Sequence, residues 1–228
     1  MLFRSIGEAA RALDFPVVSG NVSLYNETMG SGIPPTPAIG GVGLVDDVAK
    51  TASLAFKAAG EDIWLVGGAP NWLGRSAWLA TVAGREEGAP PPVDLAAERR
   101  NGEFVVSLIR KATVSAVHDL SDGGLAVALA EMAMAGGIGA TVEAQGGLSH
   151  AFFFGEDQGR YVLTALPTER AAIAEEAKRL RIPLARIGAT GGDSLRLGQA
   201  PPLALAALSK AYESWLPAYM SRPQGANP

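Results

Sequence analysis

The chain contains no cysteine and only two histidines, His118 and His150, among its 228 residues. Without cysteine, a disulfide framework, a thiolate metal cluster and a cysteine nucleophile are all excluded. With only two histidines, a histidine-rich metal site is not expected.

Several common signatures of enzymes and membrane proteins are also missing. The sequence has no P-loop, no G-x-G-x-x-G dinucleotide fingerprint, no G-x-S-x-G elbow and no H-E-x-x-H motif. No uninterrupted apolar run approaches about 18 residues, so no membrane span is expected. The first residues lack the apolar core of a signal peptide, and a cytoplasmic location is expected by default. Because the P-loop and the dinucleotide fingerprint are missing, any nucleotide chemistry must use a less common fold.

The composition favours a packed core. Hydrophobic residues make up 48% of the chain and charged residues 18%, which argues against general disorder. The net charge of −4 and the pI near 5.3 argue weakly against a protein that wraps nucleic acid, although a local phosphate site remains possible.

The first 50 residues predict too few elements for an independent domain. Apolar spacing predicts a helix over 4–13, and short strands are expected at 16–18 and 39–45. One helix and two strands cannot bury a core, so this segment should belong to something larger.

From about residue 60 the pattern becomes an α/β series. Asp94 is a plausible N-cap, and Gly136-Gly137 is a plausible helix end. Glu175 lies four residues before Arg179, a spacing that suits an ion pair on a helix. Helices are predicted at 95–111, 125–135, 169–180 and 203–216, and strands at 62–67, 115–118, 139–144, 160–165, 184–189 and 194–197.

The first candidate site is polar and follows a short apolar stretch: Gly20-Asn21-Val22-Ser23, then Tyr25-Asn26-Glu27-Thr28. Glycine lets a backbone N–H approach a phosphate, and asparagine and glutamate oxygens suit the hard cation Mg²⁺. A serine hydroxyl can donate to a phosphate oxygen. The same composition is typical of an ordinary turn, so the residues alone leave both interpretations open.

The second candidate is His118-Asp119-Leu120-Ser121-Asp122-Gly123-Gly124-Leu125, between a predicted strand and a predicted helix. Free N–H groups at a helix start favour anions. Alternatively, Ser121 or Asp122 is the helix cap, the glycines serve close packing, and His118 is a structural residue. The capping interpretation is favoured.

The third candidate is Phe154-Gly155-Glu156-Asp157-Gln158-Gly159-Arg160, which precedes a predicted strand. Acids clustered beside an arginine can hold a metal or a polar ligand. They can equally form a surface turn with an ion pair of small energetic value.

Together and in this order, with Pro35-Thr36-Pro37-Ala38-Ile39-Gly40, the motifs resemble phosphoribosylformylglycinamidine synthase in its catalytic (synthetase) subunit. The first motif is highly specific to that family. The other two recur in a superfamily that includes aminoimidazole ribonucleotide synthetase and selenophosphate synthetase.

The resemblance implies an α/β (α+β) fold like the C-terminal domain of aminoimidazole ribonucleotide synthetase, with a mixed sheet flanked by helices. The tail of a second α/β domain should precede it. On this basis residues 1–55 end a second A-type (ATP and substrate) domain, residues 56–220 form the second C-type domain, and residues 221–228 are expected to be a disordered tail.

The resemblance also implies a reaction. The family converts formylglycinamide ribonucleotide, ATP and glutamine-derived ammonia to formylglycinamidine ribonucleotide, with Mg²⁺ as cofactor. The implied partners are that substrate, the N-terminal portion of the same subunit, a glutaminase subunit and a small bridging subunit. The family's catalytic histidines and most metal carboxylates lie in the N-terminal portion, so the chain alone should be inactive. No nucleic acid or membrane partner is expected.

Family roles carry over to only three residues. Gly20 matches an ATP contact, Asn21 a Mg²⁺ ligand, and Ser23 a contact to the phosphoribosyl end of the substrate. No catalytic residue is assigned. The roles of four other residues stay open: His118, Asp122, Glu156 and Asp157.

Two alternatives remain. One is a non-catalytic module for nucleotide binding or assembly, completed by a separately encoded half. The other is a different enzyme of the same superfamily, although the continuation Tyr25-Asn26-Glu27 argues against it.

Overall fold

The computed structural model describes residues 2–21, 25–34, 36–143 and 150–221. The chain divides into two units, Met1–Ala49 and Lys50–Pro228. The assignment of residues 1–55 and 56–220 to A-type and C-type domains stays a prediction. The tail expected at 221–228 lies outside the described residues except for Ser221.

The Met1–Ala49 unit contains helix α1 (Leu2–Ala12) and an antiparallel hairpin of β1 (Glu27–Thr28) and β2 (Ser31–Gly32). The predicted helix is confirmed, but the strands expected at 16–18 and 39–45 are wrong. A strand needs a neighbouring backbone for its hydrogen bonds, and the described part of this unit provides none for these segments. Their apolar side chains are exposed instead, as the almost complete exposure of Val42 and Leu44 shows.

The second unit is built on one seven-stranded sheet, in the order β4-β6-β3-β7-β5-β8-β9. The β5–β8 pair is parallel and every other neighbouring pair is antiparallel, so the expected mixed sheet is confirmed. The strands are β3 (Asp62–Val66), β4 (Ala116–Asp119), β5 (Ala140–Val142), β6 (Tyr161–Ala165), β7 (Leu184–Thr190), β8 (Ser194–Leu197) and β9 (Leu203–Ala204).

Six α-helices accompany this sheet among the described residues: α2 (Ala77–Ala83), α3 (Leu95–Arg110), α4 (Gly124–Gly136), α5 (His150–Phe154), α6 (Arg170–Leu180) and α7 (Leu205–Met220). A 3₁₀ turn at Pro167–Glu169 precedes α6. The sequence did not predict α2 or α5, which are short and therefore carry little periodic signal. In the described part of the chain, no helix is long and apolar enough to cross a membrane.

Helices cover both faces of the sheet. Successive strand residues point to opposite sides, so neighbouring residues of one strand pack against different helices. In β3, Ile63 and Leu65 pack in a core with α4 and α5, whereas Trp64 and Val66 pack in a second core with α3 and α6. All five residues of β3 are buried, as expected for a strand covered on both faces. The unit therefore has three layers.

Local signals at helix ends were predicted with mixed success. The Asp94 carboxylate accepts hydrogen bonds from two N–H groups in the first turn of α3, and Gly137 ends α4 in the left-handed conformation, as expected. The Glu175–Arg179 pair is wrong. Arg179 instead pairs with Glu176, which also contacts Lys111, the residue that follows α3.

Candidate functional site

The first motif belongs to the Met1–Ala49 unit, where Gly20 and Asn21 follow α1 in irregular chain and Glu27-Thr28 form strand β1 of the hairpin. Gly20 and Asn21 are exposed, and no atom of another described residue, chain neighbours apart, lies within 4 Å of the position that a Cβ on Gly20 would take. The described backbone at Gly20 and side chain at Asn21 are thus accessible to a ligand. Ser23 lies outside the described residues. The roles assigned to all three stay predictions.

The second and third motifs, which are far apart in the sequence, form one site. Strand β4 ends at Asp119, which pairs with Tyr161 at the start of β6, so the turns beyond these two ends meet. Gly124 permits this contact, because a Cβ there would lie 2.6 Å from a backbone carbonyl oxygen of the third motif. Together, residues 119–124 and 155–160 form what we call the turn site.

Glu156 joins the starts of two helices at the turn site. Its Oε1 atom accepts hydrogen bonds of 2.8 Å from the N–H of Gly123 before α4 and from the N–H of Ala77 in α2. N–H groups at a helix start have no partner in their own helix, and a negative charge there is stabilising. The interpretation that Ser121 or Asp122 caps α4 is wrong, because the N-cap is Gly123 and a distant carboxylate supplies the acceptor.

Asp157 holds the segment that connects β3 to α3. Its Oδ2 atom accepts hydrogen bonds of 3.1 Å from the N–H groups of Asn71 and Trp72. The Trp72 indole N–H donates in turn to the carbonyl of Ala89 at 2.8 Å, near the other end of the connection. In the structure both acids of the third motif therefore bind backbone N–H groups, an arrangement that the sequence did not predict.

His118 lies between two carboxylates. Its Nε2 atom is 2.8 Å from Glu131 and its Nδ1 atom is 3.2 Å from Asp119. The hydroxyl of Ser121 donates to the other oxygen of Asp119 at 2.6 Å. This bond is the main cause of the lowered pKa of Asp119, with a smaller contribution from His118 and an opposing one from burial. With partners at both ring nitrogens, the geometry favours a structural His118.

A cleft of about 260 Å³ opens at the turn site. Carboxylates of Glu98, Asp119 and Asp122 line it, together with Arg160 and Tyr161. Burial, and then the charge of Asp119, raise the pKa of Glu98. The pKa of Tyr161 is raised by burial and then by the charges of Glu98 and Asp119. The cleft is therefore polar and negatively charged along one side.

Arg160 is the buried cation of this cleft. Its side chain is almost inaccessible, one nitrogen donates to the carbonyl of Gly155 at 3.3 Å, and the Asp157 carboxylate lies 3.7 Å away. Its other two side-chain nitrogens have no hydrogen-bond partner among the described residues. Burial lowers the pKa of Arg160 to about 10, which Asp157 partly opposes. A cleft with acids and a buried guanidinium is suited to a polar ligand rather than an apolar one.

Sequence reasoning missed the contribution of α3 to this site. Asn101 is buried and its amide donates to the carbonyl of Gly159 at 2.8 Å, and Glu98 lines the cleft. The signal was present, because Glu98 and Asn101 continue the helical spacing of the buried Val105 and Leu108. Polar residues that extend a buried stripe indicate a polar site at that end of the helix.

The described residues contain no group of three or more histidine, aspartate or glutamate side chains that could hold a metal ion. The acids of the turn site are thus not arranged as a metal centre by themselves.

Comparison with known proteins assigns the chain to a family. The family model described as AIR synthase related protein, C-terminal domain, matches residues 58–197, which is more than half of the chain. The chain belongs to this family. The match covers the whole turn site and most of the sheet, and it confirms the fold class expected from the resemblance.

Members with curated names extend the similarity to almost the whole chain. Phosphoribosylformylglycinamidine synthase subunit PurL of Methylocella silvestris is 60% identical over 217 residues, which are 95% of this chain and 30% of that protein. PurL of Azorhizobium caulinodans is 56% identical over 219 residues, again 95% of this chain and 30% of that protein. The chain therefore spans less than a third of the length of these relatives.

Solved structures show the same fold. Thermotoga maritima PurL complexed with FGAR superposes with a TM-score of 0.60 at 18% identity, over 71% of this chain and 30% of that chain. The complex of the same protein with ADP gives a TM-score of 0.58 at 18% identity, over 71% and 27%.

Proposed function

We propose that this chain is the C-terminal part of the synthetase subunit of phosphoribosylformylglycinamidine synthase, an ATP-dependent C–N ligase. The full enzyme would convert formylglycinamide ribonucleotide, ATP and glutamine-derived ammonia to formylglycinamidine ribonucleotide in the cytoplasm. The observation that carries the proposal is the 60% identity to a PurL subunit across 95% of this chain.

The proposed contribution of this chain to the active site comes from the first motif. Gly20 would offer its backbone to ATP, Asn21 one oxygen to Mg²⁺, and Ser23 its hydroxyl to the phosphoribosyl end of the substrate. The exposure of Gly20 and Asn21 supports this role. Mg²⁺ needs about six oxygen ligands, so other groups must complete the site. When bound, the ion would offset the negative charge of the phosphates.

The turn site has no catalytic role in this proposal. The carboxylates of Glu156 and Asp157 are engaged by backbone N–H groups, which supports a structural role for both. The partners required for activity would be the rest of the subunit, a glutaminase subunit and a small bridging subunit. These partners are proposed with the function.

Reconstitution tests the proposal. The chain is co-expressed with the part of the Methylocella silvestris relative that lies outside the matched region, and formation of formylglycinamidine ribonucleotide from ammonia, ATP and substrate is measured. We expect turnover from the pair and none from either part alone. Nucleotide binding by the chain without turnover by the pair would support the non-catalytic module instead.

A further inference from the structure

The second half of α7 is an exposed helix. Its first turns pack on the core through Leu205 and Leu208, whereas residues 210–220 are all exposed. At ~1.5 Å per residue this exposed stretch is about 16 Å long. Such a stretch can present a complete helical face to a partner.

One face of this stretch is apolar and aromatic. Five side chains recur at the i, i+3, i+4, i+7 and i+8 spacing that places them on one side of a helix. They are 51–72% exposed, and the rings of two of them stack with centroids 5.2 Å apart. We call this surface the α7 face: Tyr212, Trp215, Leu216, Tyr219 and Met220.

The composition of the α7 face is that of an interface. Tryptophan, tyrosine and methionine are enriched in the buried centres of protein interfaces, and contiguous apolar surface of this kind is rare on monomers. The only charged residues of the stretch are Lys210 and Glu213, and neither interrupts the apolar stripe. The spacing matches the mode in which an amphipathic helix inserts anchors into an apolar groove.

The similarity to PurL relatives supplies the argument for the occupant. PurL relatives are similar to 95% of this chain, yet the chain covers only 30% of their length. The other unit, taken by itself, also exposes apolar side chains almost completely at Val18, Val42 and Leu44. If the chain is one part of such a subunit, as proposed, apolar surface exposed in both units is expected to pack against the remaining parts.

We propose that the α7 face docks into an apolar groove on the part of the synthetase subunit that this chain does not include, with Trp215 and Leu216 as its central anchors. This inference rests on the proposed function, since it requires the chain to be one part of that subunit. It adds a defined surface through which the parts assemble.

The test uses the full chain and the complementary segment of the Methylocella silvestris relative, co-expressed so that they can assemble. Trp215→Ser combined with Leu216→Ser removes both anchors. The double substitution should raise the Kd by at least about tenfold, because buried aromatic anchors dominate interface affinity. Trp215→Phe alone, which keeps an aromatic anchor and Leu216, should retain most of the affinity of the unsubstituted chain. The matched control is Val82→Ser, which removes an apolar side chain of similar exposure from α2 and should leave the Kd unchanged.

A second measurement separates assembly from folding. Both substituted side chains are more than half exposed, so the urea midpoint of the chain should stay that of the unsubstituted protein. An assembly with unchanged Kd in the double variant overturns the α7 proposal and leaves the proposed function intact. If the unsubstituted chain does not bind the segment at all, the proposed function fails as well. A chain that dimerises through Trp215 would show that a second copy is the occupant, which also overturns the proposal.

Discussion

Gly123 and Glu156 are 33 residues apart in the sequence and are joined by a 2.8 Å hydrogen bond from a backbone N–H to a carboxylate. The same carboxylate oxygen accepts the N–H of Ala77. One acidic side chain thereby connects the helix that follows β4 to the helix that follows β3. The arrangement shows how one carboxylate of a polar turn can organise this end of the sheet.

Removing this carboxylate should destabilise the second unit. Glu156→Ala leaves the buried N–H of Gly123 without its acceptor, which should lower the free energy of unfolding by about 1–3 kcal/mol. Glu156→Gln keeps an acceptor oxygen but loses the charge, so its effect should be smaller. Urea unfolding measures both. Glu175→Ala, at an exposed position of α6, is the control. Equal small effects of all three substitutions would show that the contact is not structural.

The stability of the second unit should depend on pH through Asp62. This buried carboxylate accepts two hydrogen bonds from Arg170, at 2.8 and 2.9 Å, and one from Arg186. The hydrogen bonding to Arg170 is the main cause of its lowered pKa, with Arg186 contributing and burial opposing. A pKa lowered by folding stabilises the native state above the ordinary aspartate pKa of about 4, and this stabilisation is lost as the pH falls through the lowered value.

Asp62→Asn should therefore reduce the free energy of unfolding at pH 7 and progressively less below about pH 4. Denaturant unfolding at a series of pH values measures the difference between the two proteins. Asp193→Asn, at an exposed position of the same unit, should show no such trend. A deficit for Asp62→Asn that stayed constant from neutral to strongly acidic pH would contradict the lowered pKa.

Gly188 should not tolerate a side chain. It lies in β7 between Ile63 of β3 and Val142 of β5, and a Cβ there would lie 2.2 Å from the carbonyl oxygen of Thr141. Backbone in a central strand cannot move aside cheaply, so Gly188→Ala should destabilise the unit by about 1–3 kcal/mol. Gly68→Ala, which would place its Cβ in open space, should be nearly neutral in the same unfolding experiment. Equal stability of the two variants would contradict the close approach of β5 and β7.

Asn21 offers a test of the proposed metal role in the reconstituted enzyme. Asn21→Ala removes an oxygen ligand and should lower kcat by at least about tenfold and raise the Mg²⁺ concentration needed for half-maximal activity. Asn21→Asp retains an oxygen and should recover part of the rate. Unchanged rates of Asn21→Ala at all Mg²⁺ concentrations would refute the role.

Features that depend on neighbouring residues were predictable from the sequence. The cap at Asp94 and the left-handed end at Gly137 depend on side-chain chemistry and backbone freedom within a few residues. Strand β3 was predicted because its residues after Asp62 are continuously apolar, as suits a strand that is covered on both faces. The strand expected at 39–45 was wrong for the converse reason. Its sequence is apolar, but the described part of its unit gives it no backbone to pair with.

The turn site was only partly predictable. Its two motifs were found from their residues, but the contact of Glu156 with Gly123 depends on strand pairing between β4 and β6, which local patterns do not encode. The Glu175–Arg179 pair failed for a similar reason. Lys111, at the C-terminal end of α3, lies beside Glu176, so Glu176 rather than Glu175 pairs with both Lys111 and Arg179.

The most direct test of the central claim is an assay of ammonia- and ATP-dependent formation of formylglycinamidine ribonucleotide with the purified chain alone and with the complementary segment. The account predicts no product from the chain alone and turnover from the reconstituted pair, since in the proposal this chain would supply one edge of the active site and no catalytic residue. Turnover by the chain alone would contradict it.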